Sequence, residues 1–109
     1  MENEDLINVA MKVILYAGDA RTNIKDALDA TMAGNYEKAD KDMADAKTNI
    51  ENAHLMQTET IQKEARGEKI EYSTLFTHAQ DTLMTIYSEM HLATSMIEMY
   101  KSLEKKISK

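Results

Sequence analysis

The residues most able to do chemistry lie in one run, Phe76-Thr77-His78-Ala79-Gln80-Asp81-Thr82-Leu83-Met84. Histidine has an ordinary pKa of about 6.5, so it can be neutral or charged near pH 7. In a helix, His78 and Asp81 are three apart and share a face. Four readings of His78 compete. The first is a surface or interface histidine without a reaction. The second is a metal ligand, but His78 and Asp81 supply only two ligands, and bundle sites draw more carboxylates and histidines from facing helices. The third is hydrolysis, for which no Gly-rich loop or nucleophile elbow is present. The fourth is phosphoryl acceptance. It needs an exposed neutral imidazole and nearby donors to the phosphate, which Gln80 and Thr82 can supply. These residues favour phosphoryl acceptance over metal binding and hydrolysis, and leave the unreactive histidine open.

The other candidates carry less. His54 lies beside Gln57 and Thr58 and is expected to be a hydrogen-bonded structural histidine; His91 is given no role. The nine methionines read as adaptable core filler. The absence of cysteine excludes disulfides, thiolate zinc sites and thiol catalysis. A net charge of −6 from 13 basic and 19 acidic side chains argues against nucleic acids and anionic lipid surfaces. The first turn, with Glu2, Glu4 and Asp5, is acidic, unlike a secretory signal. The longest apolar stretch, Val13 to Ala17, is too short to span a bilayer. A cytoplasmic protein with no membrane insertion is expected.

Helices must position these residues. The 109 residues contain no proline and only three glycines, and suit one domain, 1–109. Gly34-Asn35 and Gly67 suit left-handed helix ends. Gly18 interrupts nothing and is expected to mark a close approach of two backbones. The first helix is read from about Asn3 to Ala33, with Leu6, Ala10, Val13, Ala17, Ile24 and Leu28 as its stripe. The second runs from about Tyr36 to Arg66, with Tyr36, Ala39, Met43, Ala46, Ile50 and Ala53, then a drift to Ile61 and Ala65. The third begins at an N-cap, Ser73, and runs to about Lys106. Its seam is Phe76, Ala79, Leu83, Ile86, Met90, Ala93, Ile97 and Tyr100.

Short connections between long helices predict an all-α, antiparallel up-down-up three-helix bundle, with helices roughly 45 Å long. His78 lies about 200° round the third helix from Phe76, opposite the seam. The line continues through Thr85, Ser88, Leu92, Ser95 and Met99, small and apolar residues. Leu75, Leu92, Met96, Met99 and Leu103 fall off the seam. A helix apolar on two sides must be covered on two sides, so self-association through the third helix is expected.

The run His78-Ala79-Gln80-Asp81 followed by Leu83-Met84 resembles the active-site motif of the enzyme IIA component of the lactose/cellobiose class of the sugar phosphotransferase system. Gly18-Asp19-Ala20-Arg21, Gly34-Asn35-Tyr36, Ala53-His54 with Gln57-Thr58, and Glu64 to Lys69 are similar to the same family, so the resemblance covers nearly the whole chain. It implies a homotrimer of three-helix subunits. It implies that His78 takes a phosphoryl group from the phosphocarrier HPr and passes it to a cysteine of the IIB component, while a disaccharide enters through the membrane IIC component. It also implies that three copies of Asp81 gather around a metal ion on the threefold axis, usually magnesium, a hard cation suited to oxygen ligands. The family's second histidine is replaced here by Thr82, which can still donate one hydrogen bond.

Two rivals come from other classes. One is a non-catalytic helical adaptor that binds through the third helix. The other is a histidine phosphotransfer domain of two-component signalling, in which a lysine-glycine pair normally follows the histidine; Gln80-Asp81-Thr82 does not match. Ala79 is more like cellobiose or chitobiose members than lactose members, and Ala20-Arg21 leans the other way. A β-glucoside disaccharide is favoured.

Overall fold

A computed structural model describes residues 3–108. Glu2 of the expected acidic first turn lies outside them. The chain forms α1 (Asn3–Met32), α2 (Tyr36–Ala65) and α3 (Thr74–Ile107), with no strand among the described residues. The bundle is a rod of 61 × 19 × 18 Å.

The turns follow from local chemistry. Gly34 (φ 80°) and Gly67 (φ 92°) hold the left-handed conformation that a side chain would strain. Asn35 N–H donates to the Ala30 carbonyl at 2.9 Å, and Glu68 N–H to that of Lys63 at 3.1 Å, so both helices close in the same capping geometry. Asn35 itself is not left-handed. At φ −93° it caps α2, its side chain accepting from Lys38 N–H at 3.2 Å. Ser73 caps α3 as expected, accepting from Phe76 N–H at 3.1 Å.

Cross-helix pairs define the topology. Asn49 donates to Asn23 at 2.8 Å, linking α2 to α1. Lys101 reaches Asp40 at 3.3 Å, linking α3 back to the start of α2. Arg21 to Glu89 and Tyr100 to Met32 both join α1 to α3 at a sequence offset of 68, so these two helices run parallel and α2 runs against them.

The core follows the helical stripes. Leu6, Val13, Leu83 and Ile86 are the largest fully buried side chains, each contributing roughly 1.5–3 kcal/mol by leaving water. Between them lie Ala10, Ala17, Ala20, Ala46, Ala53 and Ala79, small enough for close helix approach.

Four expectations need correction. The stripe of α2 does not drift to Ile61 and Ala65, which are exposed; it continues through Gln57 and Thr60, which are buried. The Thr60 hydroxyl is accommodated there by donating to the Met56 carbonyl at 3.4 Å. Tyr100 does not complete the seam of α3. It is partly exposed, with its hydroxyl donating to the Met32 carbonyl at 3.3 Å. Leu75 packs against the core from its edge. Gly18 marks no close approach inside the chain, because a Cβ there would meet nothing within 4 Å.

Candidate functional site

His78 is the fifth residue of α3, after the Ser73 cap. Its side chain is exposed and makes no hydrogen bond or ion pair among the described residues. The offset of 68 between α1 and α3 places it level with Ala10, where α1 leaves Ile7, Met11 and Leu15 outward and partly exposed. Ala79, the next residue, is fully buried, which fixes the face that His78 turns outward.

Helix geometry sorts the neighbours of His78. Asp81 lies about 60° away on one side and Thr82 about 40° away on the other, each about one turn along. Asp81 is exposed, and its backbone carbonyl accepts from the Thr85 hydroxyl at 2.8 Å. Thr82 is half-buried. Gln80 is about 200° round the helix. It lies instead in the groove between α2 and α3, with Thr60, Ile61, Glu64 and Thr77. Within one subunit the structure therefore brings together His78, Asp81 and Thr82, and does not bring Gln80 to them.

No basic side chain shares this line. The line from His78 through Asp81, Thr82, Thr85 and Ser88 carries only one charge, that of Asp81. On α1, exposed Lys12 lies two residues past the level of His78 and about 200° round the helix from buried Ala10, and Arg21 and Lys25 lie about three turns or more beyond His78. Arg21 is held by Glu89 through two bonds of 3.0 and 2.9 Å, and Lys25 pairs with Asp29 at 2.8 Å. The Glu89 carboxylate raises the pKa of Arg21 through that hydrogen bond. On α3 itself, a dianionic group on His78 thus meets the neutral hydroxyl of Thr82, together with the weak positive end of the helix.

The metal expectation can be tested against the donor set. Among the described residues no group of three or more His, Asp or Glu side chains is placed to hold an ion. One Asp81 is insufficient. Three copies would give three hard carboxylate oxygens, which suits a magnesium-sized cation.

His54 is not a hydrogen-bonded histidine. It is half-buried, and its ring meets Tyr87 edge-on at 5.8 Å, while Tyr87 meets His91 at 4.6 Å. This ring ladder ties α2 to α3 on a flank away from His78. The sequence reading missed it because its rings come from two helices whose register no local pattern fixes. Tyr36 was read only as part of a stripe. Burial and the neighbouring Glu104 carboxylate push its phenol up to about 12, and Lys101 sits 5.1 Å from its ring centre.

Beyond His78, the outer face of α3 is apolar: Leu92, Met96, Met99, Leu103 and Ile107 are all more than half exposed. No helix among the described residues is long and apolar enough to cross a membrane.

Comparison with known proteins gives a consistent picture. The family model described as the lactose/cellobiose-specific IIA subunit of the phosphotransferase system matches residues 8–101. The chain is 40% identical over 101 residues to the lactose-specific EIIA component of Streptococcus mutans, covering 93% of this chain and 97% of that protein. It is 38% identical to the lichenan-specific phosphotransferase enzyme IIA component of Bacillus subtilis, covering 93% and 92%. The crystal structure of the cellobiose-specific enzyme IIA from Bacillus anthracis superposes with a TM-score of 0.89 at 42% identity, covering 97% of this chain and 95% of that one. The IIA(chitobiose) component of Escherichia coli, solved in complex with HPr, superposes with a TM-score of 0.80 at 32% identity, covering 91% and 96%.

Proposed function

The chain belongs to the lactose/cellobiose-specific IIA family of the sugar phosphotransferase system, and from that premise we propose that His78 is its phosphoryl carrier. The observation that carries this assignment is the side chain itself: an exposed imidazole without a partner among the described residues, on a helix, beside the neutral hydroxyl of Thr82. A nucleophile so placed needs no rearrangement to meet an incoming phosphate.

The donor is HPr, in keeping with the complex formed by the chitobiose relative. The phosphorus–nitrogen bond of phospho-HPr breaks as one forms to His78. The donor histidine leaves with the bonding electron pair and takes up a proton, and the His78 ring gives one up. In the second transfer a cysteine thiolate of the IIB component attacks the same phosphorus and His78 leaves. The absence of basic residues from the line of α3 that carries His78 suits a carrier, because a phosphoryl group held by arginines would be harder to pass on. The sugar is a disaccharide, with the cellobiose or chitobiose type favoured by Ala79. The protein acts in the cytoplasm.

The working form is a homotrimer joined along the outer face of α3, with three Asp81 carboxylates around one magnesium ion. Close carboxylates repel unless a cation or protons neutralise them, so the ion would contribute to assembly. Its place is structural, and the transfer steps run through His78.

Incubation with phosphoenolpyruvate, enzyme I and HPr tests the carrier assignment. It should add one phosphoryl group per chain, acid-labile and base-stable, and His78→Ala should abolish it. Full labelling of that variant, or an acid-stable adduct, would sink the assignment. Labelling by a response regulator but not by HPr would favour the two-component alternative.

A further inference from the structure

Threonines along these helices repeat one habit. Thr22, Thr31, Thr48, Thr60, Thr85 and Thr94 each donate their hydroxyl to the carbonyl four residues earlier, at 2.8–3.4 Å. That bond is the usual outlet for a helical threonine. Thr82 departs from it, as do Thr58 and Thr77. Its acceptor would be the carbonyl of His78, yet it makes no such bond and no other among the described residues; of the three, it is the one a single turn beyond His78 on the same side of α3. The side chain is half-buried, but its oxygen is not among the polar atoms sealed from solvent without a partner. An accessible hydroxyl with an unused proton therefore sits one turn beyond His78 and about 40° round the helix.

We propose that Thr82 donates this hydroxyl to the phosphoryl group carried by His78, and that it is the neutral donor within the subunit that stabilises the phosphorylated form. The inference rests on the assignment of His78 as the carrier. Geometry excludes Gln80 and Thr77 from this role within the subunit, since both line the α2–α3 groove. Asp81, when ionised, can only accept. Partial burial favours the arrangement, because it limits the rotamers of Thr82 and so the entropy lost when the bond forms. A charge-assisted bond from a hydroxyl is stronger than a neutral one. It also leaves the group easier to release than a guanidinium fork would.

The test is the equilibrium of phosphoryl exchange between HPr and the intact protein, read by phosphorus NMR in wild type, Thr82→Val and Thr82→Ser. An equilibrium constant is insensitive to how well HPr docks, so it isolates the stability of the phosphohistidine. Thr82→Val should shift the equilibrium toward phospho-HPr by about tenfold, equivalent to about 1.4 kcal/mol, and change the phosphorus chemical shift. Thr82→Ser should stay near wild type on both. An unchanged equilibrium in Thr82→Val overturns the proposal. Equal shifts in both variants overturn it too, because packing and not the hydroxyl would then be responsible. A wild type that takes no phosphoryl group on His78 would overturn the carrier assignment, and the role of Thr82 with it.

Discussion

The outer face of α3 has two halves that ask for opposite surroundings. Toward its N-terminus the line is His78, Asp81, Thr85 and Ser88, polar and small, suited to water and to a passing phosphate. Toward its C-terminus it is Leu92, Met96, Met99 and Leu103, which are 59%, 53%, 69% and 58% exposed in the single subunit. His78 in the first half loses its use if it is covered; the second half is unfavourable until it is. One straight helix thus joins a reactive end to an adhesive end, and assembly at the second can set where the first is displayed. The inner face of the same helix shows no such change, running through Phe76, Ala79, Leu83, Ile86, Ala93 and Ile97 with all six buried.

The adhesive end should be the easier of the two to break by charge. Met96→Asp combined with Leu103→Asp places two carboxylates where apolar contact is expected, and a buried unpaired charge costs several kcal/mol. Sedimentation should show the proposed trimer in the wild type and single chains in the variant, with far-UV circular dichroism still helical because neither residue belongs to the subunit core. An unchanged oligomer would move the assembly surface off this half of α3.

Asp81 belongs to the polar half, one turn beyond His78, yet the proposed trimer gathers its copies around an ion. In the proposed trimer, Asp81→Leu would remove the mutual repulsion of three carboxylates and supply apolar surface, so the assembly should persist. What should vanish is the response to magnesium: the wild-type melting temperature should rise with the ion and fall on chelation, and the variant's should do neither. Thermal melts of both proteins, with and without magnesium, decide this. A variant that still responds like wild type would show that Asp81 is not the ligand.

A smaller effect is expected within the reactive end. Thr82→His restores the residue usual in the family and replaces one neutral donor by another that can also be charged. Transfer from phospho-HPr, followed by stopped flow, should change by no more than about tenfold, or about 1.4 kcal/mol in the barrier. A hundredfold change would make position 82 part of the essential machinery.

The inner face of α3 and the outer site differ in how far the sequence could disclose them. Helix positions, the Ser73 cap and the glycine stops were legible because each depends on residues within a few positions of one another. His78, Asp81 and Thr82 were legible as a group for the same reason: helical spacing alone places them together. Gln80 does not join them, because adjacency in sequence hides its angle of about 200° round the helix, which carries it to the α2–α3 groove. The continuation of the α2 stripe through Gln57 and Thr60 was hidden by their polarity. Thr60 enters the core by bonding its own helix, and the Gln57 side-chain oxygen is buried there without a partner, neither of which periodicity can foretell. The ladder of His54, Tyr87 and His91 depended on the register between α2 and α3, a tertiary quantity.

Gly18 gives the finest probe of how far the covered surface extends beyond α3. It lies in the interior of α1, where glycine costs about 1 kcal/mol against alanine. Nothing in the subunit lies within 4 Å of where a Cβ would stand, and its conformation is ordinary for a helix. If the surface of α1 there faces only water, Gly18→Ala should stabilise the protein by about 1 kcal/mol, raising the melting temperature on the order of 4 °C, with assembly and phosphoryl transfer unchanged. The opposite outcome would be equally informative. A lower melting temperature with loss of trimer would place a second copy against α1. An intact trimer with slower transfer from HPr would place the donor protein there. Either result would extend the functional surface from α3 alone to the cleft it shares with α1, and would explain a glycine that the isolated subunit does not need.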